Sequence, residues 1–400
     1  MFKKWLLFLG ILFTCYFMWV SYIHQENPVV KTAPVQKTTN PHVQQWVNES
    51  FDQIGKLLKE GGIPGTAVSI VYGDQVFIRT FGVRSVKSKV PVDEHSVFRI
   101  ASLSKSFAAV LTARLVKEDK LRWNNHVKDY LPAFQLSDSE QTDRIQLWHL
   151  LSHTTGLPYH TYTNLVEAGI PTAKIIPQLE SVDLVGPEGT VYSYQNAPFS
   201  IIGEVHQVAT GKTYEQLLQE KIFDPLDMMD ASTNQAAIRE RTNTARPHKA
   251  TKSGWYETKI SSKYYTAVPA GGVNASINDM STYLRLLLGQ FPEILTTADL
   301  APVFTPVINT PIKRRYFGKW PKVQSAAYGL GWRIIDYSGR KVCYHSGFVN
   351  SYKAEMAVSH EEQIGFCLLM NGAGSQAKLT VPIFLNTYEK YKQLINQWQP

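Results

Sequence analysis

The chain reads as an α+β protein: one antiparallel β-sheet flanked by amino- and carboxy-terminal helices, with a mostly helical region inserted between the halves of the sheet. Three observations predict this class. A pair of β-rich runs follows an amphipathic helix near residue 60, three further β-rich runs precede a second amphipathic helix at the carboxy terminus, and the middle of the chain carries helical patterns and long loops.

In chain order, Val43, Trp46, Val47, Ile54, Leu57 and Leu58 recur with helical spacing, and Gly61-Gly62 ends that helix. "TAVSIVY", Gly73-Asp74 and "QVFIRTFG" then read as a hairpin, two β-prone runs joined by a two-residue turn. Between about 116 and 325, segments such as "TYEQLLQEKI" and "STYLRLLLG" are helical. From about 326 onward, "KVCYHSG", "SYKAEMAVS" and "QIGFCLLMN" are strands, and Phe384, Tyr388, Tyr391, Ile395 and Trp398 share one face of a final helix. Residues 41–400 therefore form one domain, its sheet region drawn from about 41–115 and 326–400.

Residues 1–24 belong to a different regime. Lys3 and Lys4 precede Trp5–Ile23, a 19-residue stretch with no charged side chain, long enough to span a bilayer. No small-x-small cleavage site closes it, which favours an uncleaved signal anchor with its lysines in the cytoplasm and the rest of the chain outside. Residues 25–40, "QENPVVKTAPVQKTTN", are Pro/Thr-rich and aperiodic, the composition of a tether. The net charge of +8 is scattered, with no basic run beyond pairs such as Arg314-Arg315, so nucleic acid is not an expected partner. Cys343 and Cys367 fall on strands expected to be separated by a third, too far apart for a disulfide.

Chemistry is suggested first by "FRIASLSKSFAAV", residues 98–110. Positions i and i+3 share a helix face, so Ser102 and Lys105 can bring a hydroxyl and an amine together at a helix start, where the dipole favours negative charge. The spacing alone is weak: it recurs at Ser338–Lys341, inside a Gly-containing turn, and at Ser375–Lys378, with Pro382 close behind. Locally, Ser102 reads equally well as a nucleophile or as a helix cap.

The rest of the chain resembles one family in order and spacing. "LLSHTTGLP" (150–158), "YSYQNAPFSIIGEV" (192–205), "PAGGVNASINDMSTYL" (269–284), "YGLGW" (328–332) and "YHSGFVNSYKAE" (344–355) resemble landmarks of the serine β-lactamase and penicillin-binding-protein superfamily, in its class C β-lactamase-like branch. The resemblance runs from about residue 42 to the end. It implies that Ser102 is the nucleophile, that Lys105 and Tyr194 handle its proton, and that Asn196 holds a substrate amide. It also implies that His345, Ser346 and Gly347 form the substrate-binding third element, and that the backbone N–H groups of Ser102 and Phe348 form the oxyanion hole. Lys105 can accept a proton only when neutral, so its pKa must be depressed. Two rival patterns are set aside: Tyr162/Asn164 as loop, and "KSG" at 252–254 as chance.

His153 reads as a structural turn histidine, and Gly271-Gly272 as a backbone approach near the cleft. No Cys-x-x-Cys pair suggests a metal, and no cofactor is expected. His345 replaces the lysine of class C β-lactamases. A histidine is mostly neutral above pH 7, so recognition of a carboxylate is expected to strengthen as pH falls. The resemblance thus implies an acyl-enzyme serine hydrolase acting on a D-amino-acid peptide, ester or lactam, with cell-wall peptide a candidate substrate and the domain on the periplasmic side of a bacterial inner membrane. A true β-lactamase is the alternative enzyme, and a catalytically silent cell-wall-binding or scaffold protein is the alternative of another class.

Overall fold

A computed structural model of the protein describes residues 40–312 and 317–399; the Trp5–Ile23 stretch and the tether lie outside the described residues, apart from Asn40. Among the described residues no helix is long and apolar enough to cross a membrane.

Helix α1 (Pro41–Glu60) begins where Asn40 accepts a hydrogen bond from the His42 amide and Pro41 fills the first helical position, which needs no N–H of its own. It leads into strands β1 (Gly65–Tyr72) and β2 (Gln75–Gly82). Short strand β3 (Phe98–Arg99) precedes a 3₁₀ turn, Ala101–Leu103, and helix α2 (Ser104–Lys117). The inserted region contributes helices α3 (Leu147–Ser152) and α4 (Ala197–Thr210), an outlying hairpin β4 (His248–Thr251) and β5 (Gly254–Glu257), strand β6 (Asn274–Ala275) and helix α5 (Ile277–Leu287), besides shorter helical turns. Strands β7 (Ile308–Asn309), β8 (Val323–Tyr328), β9 (Arg333–Tyr337), β10 (Arg340–Val349), β11 (Tyr352–Ser359) and β12 (Ile364–Met370) follow, and helix α6 (Ala377–Gln397) closes the chain.

The sheet has eight strands in the order β2-β1-β12-β11-β10-β9-β8-β7, every neighbouring pair antiparallel. It joins strands from 65–82 to strands from 308–370; the β-rich runs predict that joining, but β7 and the start of β8 fall in the stretch that reads as helical, and β8 and β9 carry no β-rich run that reads as a strand. Its two faces pack into separate cores, and residues alternate between them. Val68, Ile70, Phe366 and Leu368 face α1 and α6, whereas Ala67, Val71, Cys367 and Leu369 face α2, α5 and the inserted region. Burial on both faces explains why β12, "IGFCLLM", is apolar throughout where a half-exposed strand would alternate. Trp46 of α1 packs its ring 5.6 Å from Phe384 and 4.9 Å from Tyr388 of α6, joining the two ends of the chain. Cys343 on β10 and Cys367 on β12 are free and buried with β11 between them, and burial pushes the Cys343 thiol up to about 12.

Helix α6 runs through Pro382, the proline whose closeness set the Ser375–Lys378 pattern aside. Proline has no N–H to offer the carbonyl four residues back, and that carbonyl, of Lys378, instead accepts the Trp320 indole N–H at 2.6 Å. A side chain from a distant segment thus supplies the missing donor.

Candidate active site

Ser102 occupies the 3₁₀ turn that feeds α2, at the junction of the sheet with the inserted region. Ala101 before it has φ 51°, a left-handed conformation unusual for a residue with a Cβ and a form of strain that collects at functional sites. Close packing maintains it. Pairing of β9 with β10 stops at Tyr344, and beyond that point Gly347 lies against the Ile100–Ser102 backbone. A Cβ on Gly347 would fall 2.2 Å from the Ile100 carbonyl oxygen and 3.1 Å from the Ser102 nitrogen, so only glycine allows the approach. The strand carrying Phe348 and the turn carrying Ser102 are therefore held edge to edge, the juxtaposition that a two-amide oxyanion hole requires.

The Ser102 side chain does not cap the helix: the amino terminus of α2 has no side-chain cap hydrogen bond. Its hydroxyl instead accepts from the Tyr194 phenol at 3.1 Å. The amine expected beside it lies elsewhere. Lys105 Nζ donates to Asn196 Oδ1 and to the Ala270 carbonyl, each at 2.8 Å. The helical spacing puts the two residues on one face, but the lysine side chain is drawn to acceptors on α4 and on the Pro269–Gly272 segment. Lys105 is wholly buried, and its amine is paired with an amide oxygen and a backbone carbonyl, both uncharged. Burial, and secondarily the charge of Arg333, hold its pKa well below the usual lysine range. A neutral amine has two N–H bonds, and both are accounted for here, which leaves the lone pair free to take a proton.

Tyr194 and Asn196 are mounted on the "SHTTGLP" loop. The Ser193 amide donates to the His153 carbonyl at 2.9 Å, the Gln195 amide to His153 Nδ1 at 3.2 Å, and the Gln195 side chain bridges Thr155 and Leu157. The His160 amide returns to the Tyr194 carbonyl at 2.9 Å. Asn196 begins α4 buried, and its Nδ2 makes long contacts of 3.4 Å to Thr163 and 3.3 Å to the Tyr264 phenol, which a substrate carbonyl would have to displace.

His345 departs from the reading of its pH behaviour. It is only 1% exposed, its Nδ1 can only donate to the Ser346 carbonyl at 2.9 Å, and its Nε2 therefore accepts from the Tyr328 phenol at 3.1 Å. Both nitrogens are occupied in the neutral form. Burial, reinforced by the charge of Arg333, keeps its pKa well below the usual histidine value, so it does not become the cation that rising acidity was expected to provide. Ser346 is part-exposed beside it, and Phe348 is 63% exposed.

The buried cation of the site is one that sequence reasoning missed. Arg333 opens β9 directly after "YGLGW", and its guanidinium lies 5.6 Å from the ring centres of Tyr194 and Tyr328. The only available signal was a charged residue heading the otherwise apolar run "RIIDY", which does not specify a role. Arg99 was also missed. It is fully buried on β3 and donates to the carbonyls of Ser261 and Lys263, while Asn350 holds the Ser261 amide and the Lys259 carbonyl; together they pin the loop that carries Tyr264. The landmark glycine Gly331, at φ 75°, sits so close to the Lys105 carbonyl that a Cβ would come within 2.6 Å. Of the rival patterns, Lys252–Gly254 makes the exposed turn of the β4–β5 hairpin. Tyr162 and Asn164 fall at the start of a short helix, Thr163–Glu167, rather than in a loop.

This fold, with serine, lysine and tyrosine gathered at the junction of sheet and inserted region, is that of the penicillin-binding-protein and β-lactamase superfamily. The chain belongs to the Beta-lactamase family, whose model matches residues 51–383, and so to a family of serine hydrolases. It is 25% identical over 330 residues to penicillin-binding protein 4 of Amycolatopsis lactamdurans, covering 81% of this chain and 84% of that one. It is likewise 25% identical over 330 residues to an unguisins hydrolase of Aspergillus campestris, covering 78% of this chain but only 59% of the relative's length. Its fold is similar to that of an octameric penicillin-binding protein homologue from Pyrococcus abyssi, with a TM-score of 0.73 at 23% identity over 85% of this chain and 77% of the other.

Proposed function

We propose that the protein is a serine hydrolase working through an acyl-enzyme on Ser102, and that its substrates are peptides, esters or lactams of the kind penicillin-binding proteins and their relatives process. One observation carries this reading: the Ser102 hydroxyl is hydrogen-bonded to the Tyr194 phenol beside a buried lysine whose two N–H bonds are already committed. For Ser102 to attack the substrate carbonyl, the phenol turns its O–H from the serine oxygen toward neutral Lys105, which takes up that proton as Tyr194 receives the serine's. The resulting oxyanion is held by the backbone N–H groups of Ser102 and Phe348, donors of a type worth about 3–4 kcal/mol each. Collapse of the intermediate returns a proton to the leaving group, and water repeats the sequence to release the acyl group.

With His345 neutral, the third element carries no charge to attract a carboxylate, which favours uncharged esters and amides over β-lactams as substrates. The uncharged stretch Trp5–Ile23 behind Lys3 and Lys4 supports membrane anchoring, with the domain on the outer side of a bacterial inner membrane. The deciding experiment is intact-mass analysis of residues 41–400 after exposure to a fluorophosphonate and, separately, to a penicillin. A stoichiometric fluorophosphonate adduct mapping to Ser102 is the expected result, and its absence in folded protein would favour a silent binding module. A penicillin adduct that turns over within seconds would mark a β-lactamase, and a persistent one a penicillin-binding protein.

A further inference from the structure

We propose that His153 is a positioning residue that holds Tyr194 against Ser102 by tying down the backbone on both sides of it. The inference rests on the role of Tyr194 given above and adds the group that determines where the phenol stands.

His153 ends α3 in the left-handed conformation, at φ 62°, and is fully buried. Its carbonyl accepts from the Ser193 amide at 2.9 Å and its Nδ1 accepts from the Gln195 amide at 3.2 Å. Tyr194 is the residue between those two amides. The imidazole also lies 4.4 Å from the Tyr194 ring and 4.9 Å from that of Tyr328, whose phenol donates to His345. One residue therefore holds the backbone amides on either side of Tyr194, touches the Tyr194 ring with its own, and touches the support of the third element as well.

The hydrogen bonds also dictate the state of the imidazole. An amide N–H aimed at Nδ1 requires that nitrogen to be unprotonated, so the proton of the neutral ring is on Nε2, which finds no hydrogen-bond partner among the described residues. A second proton on Nδ1 would set two N–H groups against each other. Burial and the nearby positive charge of Arg333 oppose it further. His153 thus stays an acceptor and does not exchange protons during the reaction. Ordinary core packing does not call for this arrangement, since a leucine or phenylalanine would fill the space without burying an unpaired Nε2–H. What it could not do is accept the Gln195 N–H.

Two substitutions separate the acceptor from the ring. His153→Asn keeps an acceptor at the same branch of the side chain and tolerates the left-handed backbone; His153→Phe keeps a ring and loses the acceptor. Hydrolysis of an uncharged aryl ester is measured for both, alone and combined with Tyr194→Phe, in protein shown to be folded by circular dichroism, with fluorophosphonate labelling of wild-type Ser102 as the control for the underlying mechanism. We expect His153→Phe to lower kcat on the order of tenfold to a hundredfold, the scale of a small misplacement of a reacting group, with KM changed less than about threefold. His153→Asn should stay within about threefold of wild type. On the Tyr194→Phe background, His153→Phe should cost less than about threefold more, because its effect passes through the missing phenol. Equal losses on both backgrounds, or an asparagine variant as impaired as the phenylalanine one, would overturn the proposal while leaving Ser102 as nucleophile. Failure of wild-type labelling would instead remove the mechanism itself. Should His153→Phe not fold, His153→Ala carries the same comparison.

Discussion

The entrance to α2 and the entrance to α6 carry the same four-residue pattern, serine and lysine three apart at the start of a helix. At α2, Ser102 meets a phenol and Lys105 is sealed from solvent between Asn196 and the Ala270 carbonyl. At α6, Ser375 and Lys378 are both exposed, and the feature fixed by tertiary contact there is a backbone carbonyl, held by Trp320. Spacing brings the two residues of a pair to one side of a helix. Chemistry requires in addition that the lysine be dry enough to lose its proton and that a third group touch the serine, and only the interior supplies both.

This contrast is open to direct attack. The largest effect should come from Ser102→Ala, which we expect to reduce ester hydrolysis by at least about 10³-fold with the fold intact, while Ser375→Ala changes kcat by less than about twofold. Comparable activity in the two alanine variants, measured on folded protein, would erase the distinction.

A smaller effect tests the dryness of Lys105. Arg333 adds to burial in lowering the lysine pKa, so Arg333→Gln should let that pKa rise. Because the neutral amine is the active form, activity is lost as pH falls through the lysine pKa. A raised pKa moves that acid limb to higher pH. The kcat of the variant should therefore drop several-fold more at pH 6 than at pH 8, and a pH profile superimposable on wild type would show that Arg333 does not act through Lys105.

The smallest effect belongs to the other helix entrance. Trp320→Phe keeps the packing but withdraws the donor from the Lys378 carbonyl, at a cost of about 1 kcal/mol in unfolding free energy by denaturant titration, with kcat unchanged. If activity fell along with stability, the two helix entrances would not be as independent as their separate cores suggest.

Much of the molecule was legible beforehand for local reasons. The β1–β2 hairpin declares itself through a two-residue turn between β-prone runs, α1 through its periodicity, and the strands β10–β12 as β-rich runs. Ser102, Lys105, Tyr194, Asn196 and His345 were singled out through landmarks of ordered spacing. Pro382 misled because a proline inside a helix is ruled out only when nothing replaces its donor, and the replacement comes from Trp320, 58 residues away along the chain. Arg333 and Arg99 were hidden because their partners, aromatic rings and backbone carbonyls, leave no pattern of residue types to read.

What the sequence determined by itself is the set of elements and the chemical groups available, since turn chemistry, periodicity and residue type are properties of short stretches. Tertiary structure alone decided the states and contacts of those groups. It set Tyr194 rather than Lys105 against the Ser102 hydroxyl, kept His345 neutral beside Tyr328, and placed the buried charge on Arg333. Protonation and hydrogen-bond pairing depend on desolvation and on neighbours brought together from six or more separate segments, and neither quantity exists until the chain has folded.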